Sequence, residues 1–330
     1  MSVPIRVLSS IEPDLMQFVR RIVLVGGVAT SCAVVACDRP AAAPRSDSAA
    51  LARPAALDSV TASAADSGWN ADAGALLVLP MGEDGLSAGA VLRNDATDAT
   101  VGDTVGVAAS LGDGRFELFS RSGVAGVATV TLGPPPHVDA GCTAWPSARL
   151  TPPAATRLTN WTVAFAAGRV TAVALDSIEG LPPRDSARLA VGLARLSSGL
   201  RDDTSATFRG LPFVVLRAYR AMALDTAFVV ATLARRVNQE DSPKEERLVI
   251  IVNMVGADAT QWTVAWHERA AGREDELVVA EPLMAFRTVR GNETSLLFGR
   301  DDGDAPGAAV LARRGATWRV RWQSAIAGCG

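Results

Sequence analysis

The stretch "AFVVATLARRVNQEDSPKEERLVIIVNMV" (Ala227–Val255) holds two apolar runs around a polar one. Ala227–Val237 and Arg247–Val255 read as strands, because apolar segments of this length bounded by turn residues favour extended pairing. Asn238–Glu246 between them, "NQEDSPKEE", reads by composition as a solvated hairpin loop. The same alternation of apolar run and turn signal continues outward on both sides. Upstream lies a strand from Phe213 to Met222. Downstream, strands are expected over Trp262–Glu268, Leu277–Val289, Ser295–Gly299, Ala308–Arg313 and Trp318–Ser324. Consecutive strands with short connections predict an antiparallel meander.

One segment has the other period. Pro182-Pro183 opens it, Gly199 closes it, and Leu189, Leu193, Leu196 and Leu200 fall on one face. Proline fits a first helical turn and glycine a helix end, so an amphipathic helix packed on a sheet is expected. Nearer the N-terminus, "ALLVLP", "AGAVLR", "TVGVAAS", "RFELFS" and "GVATVTL" read as further strands, and "LGDGR" (Leu111–Arg115) as a hairpin turn. "GPPPHVDAG" (Gly133–Gly141) predicts an irregular crossing, since consecutive prolines cannot join a ladder. The expected fold class is β-rich α+β, with antiparallel meander sheets and one packed amphipathic helix over residues 71–330. One domain or two stays open; if there are two, the boundary lies near residues 151–154, at Pro152-Pro153.

The chain has 330 residues, 48% hydrophobic and 20% charged, which suits a globular protein with a real core. Lys244 is the single lysine among 32 basic residues, and the net charge is −3. Phosphate backbones demand a concentrated basic face, so a nucleic-acid partner is not expected.

Arg20-Arg21 precedes an uncharged run, Ile22–Ala36. Its fifteen residues would span about 22 Å as a helix, short of the roughly 20 residues a spanning helix needs. The run has the length of a signal-peptide core. Val34-Val35-Ala36-Cys37 resembles a bacterial lipobox: aliphatic, aliphatic, small, then cysteine. The resemblance covers about twenty residues and implies a bacterial lipoprotein: residues 1–36 removed, cleavage between Ala36 and Cys37, and Cys37 lipidated as the mature N-terminus. The implied partner is the membrane, held through acyl chains on Cys37, and the implied location is extracytoplasmic. The alternatives are a secretory signal cut elsewhere or an uncleaved helix. Asp38 resembles an inner-membrane retention signal in some lineages, and the choice of membrane stays open. Glu12 and Asp14 fit a basic leader poorly, so translation is expected to start at Met16. Residues 37–70, rich in Ala, Pro, Ser and Asp, bury too little surface to offset ordering entropy and predict a tether.

On that reading Cys32 is discarded, Cys37 is lipidated, and Cys142 and Cys329 remain in the exported domain. Outside the cytoplasm such a pair is expected to form a disulfide, and adjacent glycines (Gly141, Gly328, Gly330) permit close approach. Two free thiols are the alternative.

No nucleophile elbow, zinc-binding helix or phosphate loop occurs, and no cofactor is expected. Alternation puts Trp262, Val264 and Trp266 on one sheet face and His267 on the other, beside Thr263 and Ala265. His137 with Asp139 lacks a third metal ligand. Asp301, Asp302 and Asp304 faintly resemble a calcium loop, but Arg300 and Gly307 stand where acids are needed, and calcium requires six to eight oxygens. "TNWTVAFAAGRVTAVAL" from Thr159 and "TQWTVAWHERAAGREDELVVA" from Thr260 share Trp-Thr-Val-Ala-aromatic followed by Ala-Ala-Gly-Arg, which reads either as a duplicated sheet unit with an aromatic binding surface or, the favoured reading, as half-buried hairpins with large core residues. The functional expectation is a binding or envelope-structural module for an unknown protein or small-molecule ligand. The competing class is an exported hydrolase whose carboxylates meet only in the fold.

Overall fold

The computed structural model describes residues 69–329 other than 75, 82–84, 93–113, 134–138, 140–141, 154–157, 159, 201–205, 225, 238–242, 256–260, 302–305 and 325–327. The chain divides between Pro54 and Ala55, and every described residue belongs to the second unit. The leader, the lipobox, the tether, "TVGVAAS" and His137 all lie outside the described residues.

Strands β1 (Leu76–Met81), β2 (Ser87–Leu92), β3 (Arg115–Ser120), β4 (Gly123–Leu132), β6 (Ala148–Thr151) and β7 (Val163–Ala166) close into a barrel in the order β1-β2-β6-β4-β3-β7. Strands β8 (Val170–Val173), β14 (Val279–Thr288), β15 (Thr294–Asp301), β16 (Pro306–Arg314) and β17 (Thr317–Gln323) form a middle sheet. Strands β9 (Asp176–Ser177), β10 (Val214–Ala223), β11 (Thr226–Val237), β12 (Lys244–Val255) and β13 (Gln261–Arg273) form an outer sheet. Helix α1 (Pro183–Ser198) lies on the outer sheet. Two short strands, β5 (Cys142–Thr143) and β18 (Gly328–Cys329), pair separately, with Cys142 and Cys329 as ladder partners. All described pairings are antiparallel, as the meander reading expects. The change from barrel to layered sheets falls after Ala166, because β7 returns to the barrel beyond residues 151–154.

Four buried clusters explain the layering. Inside the barrel, small residues (Ala88, Ala128, Ala148, Ala164) make room for Phe116, Leu118 and Trp161, as a narrow barrel interior requires. Trp161 Nε1 donates to the Gly85 carbonyl at 2.9 Å. Gly85 has φ +65° and a Cβ there would sit 2.0 Å from the Leu158 oxygen, so only glycine fits. The opposite face of β7, through Val163 and Phe165, packs on Met284, Phe286 and Leu297 of the middle sheet. That sheet's other face, through Ala285, Leu296 and Phe298, packs on Phe228, Val230 and Ile251 of the outer sheet. The outer sheet's far face, through Val229, Ala231, Ile250 and Val252, receives Leu189 and Leu193 of α1. Sheets covered on both faces lose the apolar–polar alternation, and this is why β11 and β12 read as continuous apolar runs.

Arg121, in the turn between β3 and β4, ties the layers together. Its Nε donates to the Pro282 carbonyl at 2.8 Å, its guanidinium pairs with Glu281, and it lies 5.2 Å from the centre of the Tyr219 ring. Glu268 of β13 accepts both amino groups of Arg300 on β15, at 2.8 and 3.0 Å, bridging the two sheets.

Three expectations need correction. A bulge in β13, opposite Ile251 and Val252, breaks the alternation. Trp262 and Val264 face α1, whereas Trp266 joins the core between the sheets, so the three do not share a face. His267 pairs with Ile250 and therefore lies on the helix side with Trp262, not beside Ala265. The two similar segments also diverge. Ala166–Arg169 is a turn around Gly168, at φ +71°, that carries the chain from barrel to middle sheet, whereas Ala270–Arg273 continues strand β13. Finally, Lys244–Glu246 is strand rather than solvated loop, and Glu245 and Glu246 are 0% and 1% exposed. Residues 238–242 lie outside the described residues.

Candidate groove beside the helix

Pro182 and Pro183 set the first turn of α1, where missing N–H groups cost nothing. At about 100° per residue, Leu189, Leu193 and Ser197 point to the sheet and are buried. Arg184, Arg188 and Arg195 fall on the opposite stripe, and all three are exposed. Leu196 and Leu200 lie between, half-buried.

The helix does not cover the whole sheet. The cross-strand row Met222–Ala227–Met254–Trp262 follows from the register of β10, β11, β12 and β13. Met222 at one end of the row is 62% exposed. At the other end, the Trp262 ring lies against Gly192 of α1, where a Cβ would come within 2.7 Å of it. Glycine in mid-helix costs about 1 kcal/mol against alanine, so its position marks this close approach. A groove of about 1200 Å³ results, floored by Leu189, Leu196, Leu200, Met254 and Trp262. Among the described residues its charged lining is four arginines, Arg184, Arg188, Arg195 and Arg220, against one acid, Asp185. Asp185 sits 3.6 Å from Arg188. Arg184, Arg195 and Arg220 have no ion-pair partner among the described residues.

The opposite end of the outer sheet is built differently. Glu246 meets Arg235 at 2.7 Å and Arg269 at 3.1 Å, and Arg235 stacks on Phe213 at 4.7 Å from the ring centre. Glu245 is held between Arg236 and Arg247. Strand alternation puts these two Arg–Glu–Arg clusters on opposite faces of the sheet.

No family model, curated protein or solved structure matches this chain.

The residues singled out from sequence do not converge on this groove, apart from Trp262 and the leucines of α1. Cys37 and Ala36 lie outside the described residues, as do Asp302 and Asp304. Asp301 ends β15 and is exposed, and Asp139 is exposed before β5. Among the described residues, no group of three His, Cys, Asp or Glu side chains comes together as a metal ion would need. No described helix is long and apolar enough to cross a membrane. The groove's arginines and Met254 escaped sequence reasoning. The available signal was the central Gly192 together with the arginine stripe on the face away from the leucines.

Proposed function

We propose that the chain is an exported, lipid-anchored binding module, and that the groove between α1 and the outer sheet is its ligand site. The observation that carries the binding reading is the concavity itself. An open apolar floor of this size, rimmed by a few charged groups, has the character of a ligand site rather than of a sealed core. The lipobox resemblance at Val34–Cys37 supports the anchor. Two or more acyl chains on Cys37 would hold a soluble domain stably at a membrane surface.

We also propose a Cys142–Cys329 disulfide. It is supported by their positions as direct ladder partners, since opposed residues of an antiparallel pair have the Cα spacing that a disulfide accepts. The bond would tie the C-terminal strand to the segment leading into β6.

Photolabelling tests the binding reading. A neutral alkyl aryl-diazirine probe, applied to the full chain in phosphatidylcholine vesicles, is expected to modify peptides within residues 184–200 and 254–262. Labelling confined to other segments would overturn it. Intact-mass analysis of the membrane-extracted protein tests the rest, because acylated Cys37 as first residue and the loss of two protons at the cysteine pair are both visible in one spectrum. A mature terminus elsewhere would refute the anchor.

A further inference from the structure

We infer that the groove's ligand is an anionic amphiphile: an apolar chain or ring system carrying a carboxylate or phosphate. The inference rests on the groove reading above and specifies its chemistry.

Two features of the groove require different halves of one molecule. The floor is apolar: Met254 and Trp262, neighbours across β12 and β13, together with Leu189, Leu196 and Leu200 of the helix segment. Such a face suits an acyl chain or a fused ring system, and Trp and Met are the side chains that best adapt to one.

The charged lining is predominantly cationic among the described residues. Arg184 and Arg195 stand on the helix and Arg220 on the sheet, so cationic groups flank the floor from two elements. Among the described residues Asp185 is the sole acid lining the groove, and it is engaged by Arg188. A guanidinium presents a planar fork of donors that matches carboxylate or phosphate, and it is the more weakly hydrated of the two basic side chains. Elsewhere this protein pairs arginine with glutamate at close range: Arg235 with Glu246 and Arg236 with Glu245 on the same sheet, and Arg300 with Glu268 between the sheets. The rim of the groove lacks acids of that kind among the described residues. A cationic or zwitterionic head would meet several like charges there, and a neutral ligand would leave them unanswered. A fatty carboxylate and a monomeric anionic phospholipid or lipid phosphate share the chemistry that fits.

The test is competition against the neutral diazirine probe on the full chain in phosphatidylcholine vesicles, with dodecanoate, dodecyl phosphate and dodecylammonium as competitors. Dodecanoate or dodecyl phosphate should displace the groove label at about ten-fold lower concentration than dodecylammonium, the scale of one charge-assisted contact. Whichever anion is stronger identifies the head group. In Arg184→Glu/Arg195→Glu/Arg220→Glu the preference should vanish or invert while the probe still labels the groove. The single variant Arg195→Gln should narrow the preference without reversal, and serves if the triple variant fails to fold. Equal displacement by anion and cation in the native protein, or a preference that survives the triple reversal, would overturn the anionic class and leave the groove as a binding site. Failure of the neutral probe to label the groove would overturn the groove reading itself.

Discussion

The two ends of the outer sheet use the same side chain in opposite ways. At the end built from Arg235, Arg236, Arg247 and Arg269, every guanidinium meets Glu245 or Glu246, and both carboxylates are buried. At the end beside α1, Arg184, Arg195 and Arg220 are exposed and form no ion pair among the described residues. A buried carboxylate is tolerated only when fully paired, because its desolvation is otherwise uncompensated. Exposed guanidiniums carry no such demand, because water solvates them. The first end is therefore committed to the fold, and the second keeps its charge available.

The largest effect should come from breaking the committed end. Glu246→Gln removes the charge shared by Arg235 and Arg269 while preserving shape, and is expected to cost about 3–5 kcal/mol, read as a lower urea midpoint at unchanged slope. A loss below about 1 kcal/mol, the range of exposed pairs, would show that this end is not structural.

At the groove, Gly192→Ala sharpens the contrast. The added Cβ must displace the Trp262 ring, while alanine returns about 1 kcal/mol of helix propensity. Net stability should move by less than about 1 kcal/mol, yet Trp262 emission should shift to the red as its ring leaves the helix. Subtracting the spectrum of Trp262→Phe isolates that emission from the other tryptophans. An unshifted spectrum would mean that the ring does not rest on Gly192.

A third arginine falls between the two extremes. Arg121 pairs with the half-exposed Glu281 and covers the ring of Tyr219. Burial pushes the Tyr219 hydroxyl above its ordinary value near 10, against the opposing pull of Arg121. The folded protein then holds its phenolic proton when the unfolded chain has lost it. The contribution is complete below about pH 10 and is lost as pH rises through the folded value. Tyr219 is the single tyrosine, so phenolate absorbance reports it alone. The native midpoint should exceed that of the urea-unfolded chain. A lower native midpoint would show that the guanidinium outweighs burial.

Much of the fold is legible in the sequence. The 3.6-residue period with Pro182-Pro183 and Gly199 marks α1 over Pro183–Ser198, and the apolar runs mark β10 through β17. The barrel is not legible. Its closing strands, such as "ARLT" and "VAFA", are short, and they pair with strands far away in the chain: β6 with β2, and β7 with β1. Non-local pairing of short segments leaves little periodic signal. Glu245 and Glu246 sit in a segment whose composition resembles a solvated loop, and only the register shows the arginines that neutralise them. A single bulge sends Trp266 to the face opposite Trp262, and alternation alone does not reveal bulges. The groove depends on where a helix ends relative to a sheet. Its arginine stripe is visible in sequence, but its apolar floor is not.

On the proposed reading the groove's arginines serve a ligand and not the fold, and the urea midpoint of Arg184→Glu/Arg195→Glu/Arg220→Glu distinguishes the two. Reversal at Arg184, in the first turn of α1, favours the helix dipole, and reversal at Arg195, in the last turn, opposes it, each by about 0.3–1 kcal/mol. The terms largely cancel, so the midpoint should stay at the native value. A fall approaching that of Glu246→Gln would contradict the account.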